Sequence, residues 1–243
     1  MAALLELDDV SRSFGRVVVA DHLSLSLQAG EALGIVGPNG AGKTSMLNLV
    51  SGNLAPDAGR IVLDGRDVTG VAAHRRARLG IGRTYQIPRP FGGLTVFENV
   101  LLAASFAGAQ RHGGDPTSAS VAALEATGML ASANVVSGSL PLLDRKRLEL
   151  ARALAIRPRL LLLDEIAGGL TEHEVKELVA TILRLRADGV TIIWIEHVVH
   201  ALLSVVDRLM AIDFGRKLAD GEPHAVMASA EVQAVYMGTD VTL

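Results

Sequence analysis

The hydrophobic positions of this chain fall into short runs rather than long ones. EALGIV (31–36), RLLLLDE (159–165) and VTIIWIEH (190–197) are nearly unbroken apolar runs that end in glycines, in two acids, or in Glu-His. Such runs suit strands of a parallel sheet that is covered on both faces. RIVLDG (60–65) reads as a strand closed by a turn, and VVDRLMAIDFGRKLADG (205–221) as two strands around a Phe-Gly turn. Helical periodicity runs from Lys43 to about Ser51, and again over about 144–156 and 173–187. Strands alternating with helices predict a doubly wound α/β fold. The amino end differs. LLELDDV and HLSLSLQ alternate apolar and polar positions, which predicts antiparallel strands beside the main sheet.

The middle of the chain differs again. From Glu98 to about Asn134 the pattern is Ala-rich and helical, split by RHGGDPTS (111–118), and contains no strand-like run. Residues 87–150 therefore read as a helical insertion into the α/β domain.

Composition narrows the classes. Of the 243 residues 49% are hydrophobic but only 3% aromatic, so the core must be aliphatic. The net charge of −3 leaves no electrostatic footprint for nucleic acid. With no cysteine, neither a disulfide nor a cysteine–zinc site can form. Met1 leads into LLELDDV without a basic run, so no secretory leader is expected. The longest apolar stretch, 190–212, is interrupted by Glu196, His197, His200, Asp207 and Arg208, which argues against a membrane span. Mean hydropathy is +0.36, and part of that suits a surface that docks on an apolar partner.

One motif decides the chemistry. GIVGPNGAGKTS carries Gly37-x-x-x-x-Gly42-Lys43-Thr44 between a strand and a helix. Glycines let the loop wrap a phosphate closely, its N–H groups point inward, and the helix amino terminus adds its dipole. Gly37, Pro38, Asn39, Gly40, Ala41, Gly42, Lys43, Thr44 and Ser45 are the candidate nucleotide-binding residues. Lys43 would reach the β- and γ-phosphates, and Thr44 would offer its hydroxyl to Mg2+. A lone Asp-Glu pair after an apolar run is most often a solvated strand end. Beside a phosphate loop it gains a purpose: Asp164 holds Mg2+ through water and Glu165 polarises the attacking water. His197 ends the next apolar strand, and parallel strands end on one edge, so it is placed to touch the γ-phosphate. Gln86, in RTYQIPRP, lies where the α/β core gives way to the insertion and could orient Mg2+ or water.

The order GPNGAGKT, Gln86, LLLLDE, His197 resembles the ATP-binding-cassette ATPases over essentially the whole chain. Within that superfamily RDVTG, LGIGRTYQIPRPFGGLTVFENV and AVYMG resemble the LivG-type ATPases of branched-chain amino-acid importers, and the long middle segment carries most of the likeness. The resemblance implies a P-loop NTPase (RecA-like) parallel sheet with flanking antiparallel strands and an inserted α-helical subdomain. The ATP-binding core would span 1–86 and 151–243, and the helical signature subdomain 87–150. It implies ATP and Mg2+ as cofactors, and transmembrane permease subunits and a second ATP-binding subunit as partners. It further implies an extracytoplasmic solute-binding protein acting indirectly, and a peripheral position on the cytoplasmic face of the inner cell membrane. Ile87 to Phe91 would meet a cytoplasmic helix of the permease. An aromatic near the amino end stacks on adenine in such proteins, and Phe14 in RSFGRVVV is the candidate; the alternative is a core phenylalanine.

The chain departs from the family in three places. Its glycine-containing signature loop, which binds the γ-phosphate held by the other chain of a dimer, is here Leu140-Pro141-Leu142-Leu143-Asp144. Two readings follow. In one, Pro141 presets the turn, Asp144 caps the next helix, and Arg145 or Lys146 supplies charge. In the other, the loop requires a positive φ at Leu143 and is strained by about 1–2 kcal/mol. Ile166 stands where proline is usual, and Thr171, closing AGGLT (167–171), where Asn or Asp is usual. The function expected is ATP hydrolysis that drives solute import. A regulatory subunit with weak hydrolysis in a heterodimer and a soluble, non-transport cassette ATPase remain as alternatives.

Overall fold

The computed structural model describes residues 3–108 and 114–239. These pack as two compact units, one running His74–Val190 and the other formed by the segments on either side of it.

The first segment opens with β1 (Leu5–Phe14) and β2 (Val17–Leu27), which pair antiparallel. Leu5, Leu7, Leu23, Leu25 and Leu27 are buried while Glu6, Asp8, Ser24 and Ser26 are exposed. That alternation marks a sheet covered on one face. The chain then forms β3 (Ala32–Val36), α1 (Lys43–Ser51), β4 (Ala58–Leu63) and the short β5 (Arg66–Asp67). Together β2, β1, β4 and β5, in that order, make a four-stranded antiparallel sheet. The expected strand at 60–65 is thus a hairpin with Asp64 (φ 52) and Gly65 (φ 72) at its turn.

The second unit begins around α2 (Ala73–Leu79) and β6 (Ile81–Arg83). It continues through α3 (Val96–Ala103), a π-helical turn at Ala104–Gly108, and α4 (Pro116–Ala126). Of the break expected at 111–118, residues 111–113 lie outside the described residues; Asp115 caps α4 by accepting from the N–H groups of Thr117 and Ser118. Next come α5 (Leu142–Ala155), β7 (Leu160–Asp164) and α6 (Glu172–Ala187). Val96, Val100, Ala123, Leu124, Leu140, Leu148 and Ala151 bring α3, α4 and α5 onto one aliphatic core. The small residues let the helices approach closely, as the scarcity of aromatics requires. β6 and β7 pair in parallel, Ile81 with Leu160 and Arg83 with Leu162.

The last segment returns to the first unit as β8 (Thr191–Ile195), α7 (Val199–Leu203), β9 (Arg208–Asp213), β10 (Arg216–Gly221), α8 (Pro223–Ala228) and α9 (Ala230–Thr239). β3 lies parallel to both β8 and β9, and β9 turns into antiparallel β10 through Phe214 (φ 44) and Gly215 (φ 77). Two positive φ values at the turn centre match the right-handed twist of the flanking strands. Every residue of β3, β7 and β8 is buried, which is why these strands read as unbroken apolar runs.

Candidate functional site

In the first unit the phosphate loop joins β3 to α1. Gly37 and Gly42 have φ values of 151° and 102°, and a Cβ on either would meet backbone: 2.1 Å from the Ile212 carbonyl oxygen, and 2.4 Å from that of Val19. Gly42 is the N-cap of α1 and contributes no side chain, and the first turn holds no acid. The leading N–H groups of a helix have no partner within it, so this mouth is a donor cluster with a favourable dipole for an anion. Lys43 is buried and folds over the loop, its Nζ donating to the carbonyls of Gly37 (2.6 Å) and Pro38 (2.8 Å). Thr44, Asn39 and Gly40 are exposed, with Pro38 and Ser45 half-buried and Ala41 buried.

His197 follows β8, whose Ile195 lies opposite Ile35 in the parallel pairing. The segments after both strands therefore leave the same sheet edge, and His197 is exposed there. Its backbone N–H donates to the side chain of the buried Glu196 (2.9 Å), which fixes the start of the loop. Phe14 ends β1 and is 51% exposed, so the alternative of a core phenylalanine does not hold. The Arg12 guanidinium lies over its ring at 4.8 Å, leaving a flat, partly open aromatic surface.

In the second unit Asp164 and Glu165 stand at the end of β7. Asp164 is buried and its Oδ2 accepts from Arg83 Nη2 at 3.0 Å. Glu165 is half-buried with φ 48°, an uncommon conformation for a residue bearing a Cβ. Gln86 Nε2 donates to Glu165 Oε2 (2.5 Å), so the tertiary fold brings these two candidates together across 79 positions of sequence. Lys146, buried on α5, donates from Nζ to the Glu165 carbonyl at 3.4 Å.

Asn99 is fully buried on α3 and ties the loop that follows Gln86. Its Oδ1 accepts from Phe91 N–H (2.8 Å), and its Nδ2 donates to the carbonyl of Thr95 (2.9 Å) and to Ser137 Oγ (3.1 Å). Ile87 and Phe91 on that loop are 67% and 48% exposed, an apolar surface held out by a polar anchor. Arg83 and Asn99 escaped sequence reasoning, and Lys146 was read only as a charge at the signature loop, not as a partner of Glu165. The one local signal was a polar residue inside an otherwise apolar helical face, at Asn99 and Lys146.

The glycine-free helix mouth needs two corrections. Asp144 is not the cap of α5: the N-cap is Pro141, which makes no side-chain hydrogen bond, and Asp144 lies in the first helical turn, 3.6 Å from Arg147 Nη1. Leu143 is helical and absent from the non-glycine residues with positive φ, so the strain expected there does not exist. Proline suits the cap because it extends the chain into the helix and that position needs no N–H. Nor do the nearby cations reach outward: Arg145 turns back, its Nε donating to the Leu140 carbonyl (2.7 Å), and Lys146 points inward. Leu140 is buried, Pro141 and Leu142 are exposed, and Leu143 is half-buried. The loop 167–171 runs beside this mouth, since a Cβ on Gly169 would lie 3.4 Å from Leu142. Thr171 caps α6 in a reciprocal box with Glu174, a task that Asn, Asp and Thr share. Ile166 is buried, in the turn that follows β7.

The ABC transporter family model matches residues 20–168. The chain is 34% identical to the high-affinity branched-chain amino acid transport ATP-binding protein BraF of Pseudomonas aeruginosa, over 97% of this chain and 98% of that one. The chain belongs to the ABC transporter family. This ABC cassette is also 33% identical to the lipopolysaccharide export system ATP-binding protein LptB of Acidithiobacillus ferridurans, over 98% of each chain. Its fold matches the crystal structure of an ABC transporter's ATP-binding cassette in its ADP conformation, with a TM-score of 0.88 and 26% identity, covering 98% of this chain and all of that one. The cassette is therefore an ATPase of the transporter ATP-binding type, with the α/β architecture expected from its sequence. Among the described residues no helix is long and apolar enough to cross a membrane, and no cluster of three or more His, Cys, Asp or Glu could hold a metal by itself.

Proposed function

We propose that this cassette binds ATP with Mg2+ on the Gly37–Ser45 loop and hydrolyses it to energise import of a branched-chain amino acid or a related small polar solute. One observation carries the reading of the site. Gly37 and Gly42 pack against backbone where a Cβ has no room, so no side-chain cap takes up the N–H groups at the mouth of α1. The cargo rests on the relatives' names and on the 79–100 segment.

Each residue then has a task. Lys43 swings from its own loop carbonyls to the β- and γ-phosphates. Phe14 stacks on adenine. Thr44 and Gln86 carry hard oxygens of the kind Mg2+ accepts and would hold it, with Asp164 acting through water. Mg2+, when bound, neutralises charge that develops on the phosphates. Glu165 is the general base. Its side chain is held by Gln86 and its carbonyl by Lys146, which fix the base's direction before water arrives. His197 contacts the γ-phosphate. The mouth of α5, Leu140 to Asp144, faces the nucleotide of a second ATP-binding subunit through helix N–H groups. Asp144 places negative charge at that mouth, which favours a weaker site there and a heterodimer with one strong and one weak half.

The core would comprise residues 1–86 and 151–243 and the signature subdomain 87–150. Ile87 to Phe91 would dock a permease subunit at the cytoplasmic face of the inner membrane, with a solute-binding protein acting from outside. The test is Glu165→Gln. ATP affinity should stay within a factor of about two while hydrolysis falls by about 10²–10⁴. Rapid turnover by the variant would refute the assignment, and uptake of labelled leucine that survives deletion of the chain would refute the cargo.

A further inference from the structure

The chemistry above uses Asp164 but not Arg83, the arginine paired with it. Both side chains are nearly sealed, 6% and 4% exposed, and Arg83 Nη2 meets Asp164 Oδ2 at 3.0 Å. The pair is built rather than incidental. Arg83 ends β6 and its guanidinium stacks over the Tyr85 ring at 5.0 Å. The neighbouring Thr84 locks the register, its N–H donating to the Leu162 carbonyl (2.9 Å) and its Oγ1 accepting from Asp164 N–H (3.3 Å). Gly82, just before, sits where a Cβ would lie 2.7 Å from the Ala153 carbonyl oxygen, so the strand is pressed against α5. The guanidinium is thereby delivered to the acid with little freedom to leave.

We propose that Arg83 is a positioning residue that holds the Asp164 carboxylate in the place of a cation and sets how tightly the cassette takes up Mg2+. The inference rests on reading Asp164 as the metal-side acid. A buried carboxylate needs a countercharge, and Arg83 is one that is always ionised. While it holds Oδ2, it orients the carboxylate and cancels part of the field that would draw in a divalent ion. Mg2+ uptake is then an exchange of one positive partner for another rather than a filling of open negative charge. The cassette stays folded without metal, and the cost is a weaker grip on Mg2+.

The experiment titrates MgCl2 into the purified full-length chain with a fluorescent non-hydrolysable ATP analogue, and reads analogue binding as a function of metal. Arg83→Met should lower the Mg2+ concentration needed for half-maximal binding by about tenfold, and should lower the melting temperature in EDTA more than in Mg2+. Should Arg83→Met not fold, Arg83→Gln retains a hydrogen-bond donor without the charge, and the same shift is expected. Arg83→Lys, which retains the charge, should leave the Mg2+ requirement near that of the parent. An unchanged or raised requirement in the neutral variants overturns the proposal and leaves Arg83 as a purely structural partner. Asp164→Asn separates the two levels. If it raises the Mg2+ requirement while the Arg83 variants do not lower it, only the present inference fails. If it has no effect, the metal-side role of Asp164 fails and the inference with it.

Discussion

Replacing Gly42 by alanine tests the packing of the phosphate loop. At φ 102° an alanine is strained, and its Cβ would lie 2.4 Å from the Val19 carbonyl oxygen and 3.4 Å from Gly215 Cα. Both neighbours are backbone, so relief requires moving β2 or the β9–β10 turn rather than a side chain. The dihedral costs about 1–2 kcal/mol, and forced overlap adds about 1–3 kcal/mol. Gly40 is the internal control. It has φ 82°, but nothing lies within 4 Å of its Cβ position, so only the dihedral cost applies. A domain of this size loses about 2–4 °C of melting temperature per kcal/mol. Gly40→Ala should therefore melt about 5 °C below the parent, and Gly42→Ala about 10 °C below. Thermal unfolding followed by circular dichroism reads both. Equal losses would show that contact with Val19 does not constrain the loop.

Two further outcomes follow from the geometry. Asp220 makes a two-pronged pair with Arg208, at 2.5 and 2.7 Å. Burial pushes its carboxyl up, but the hydrogen bonds and charge of Arg208, aided by Lys217, outweigh that and hold it below its ordinary value. A depressed folded-state value means the stabilisation is full above 3.8 and is lost as pH falls through the folded value. Asp220→Asn should cost about 1–3 kcal/mol near neutral pH, and urea midpoints should show the gap closing in acid; a gap that persists there would refute the pairing. Leu143→Gly, which restores a glycine to the signature loop, should destabilise by about 0.5–1 kcal/mol, because Leu143 is helical and no strain awaits relief; a rise in melting temperature would contradict this.

What could be read from the sequence had short-range causes. β3, β7 and β8 were legible because a strand buried on both faces must be apolar at every position. The phosphate loop was legible because only glycine tolerates its dihedrals and contacts. α5 and α6 showed as periodicity, though at α5 a negative residue near the start of a basic run was mistaken for a cap; cap geometry depends on where the backbone turns, which composition does not reveal. β6 has three residues and α2 reads AHRRARL, too short or too polar for any pattern to emerge.

The sequence by itself determined that there is a glycine loop before a helix and that two acids end an apolar strand. Only the tertiary structure decided which partners those acids have. Arg83 and Asp164 are separated by 81 positions and Gln86 and Glu165 by 79, and they meet because β6 lies beside β7 in one particular register. Register is set by the burial of whole strands, so a charge pair at a strand end inherits its partner from packing far from itself.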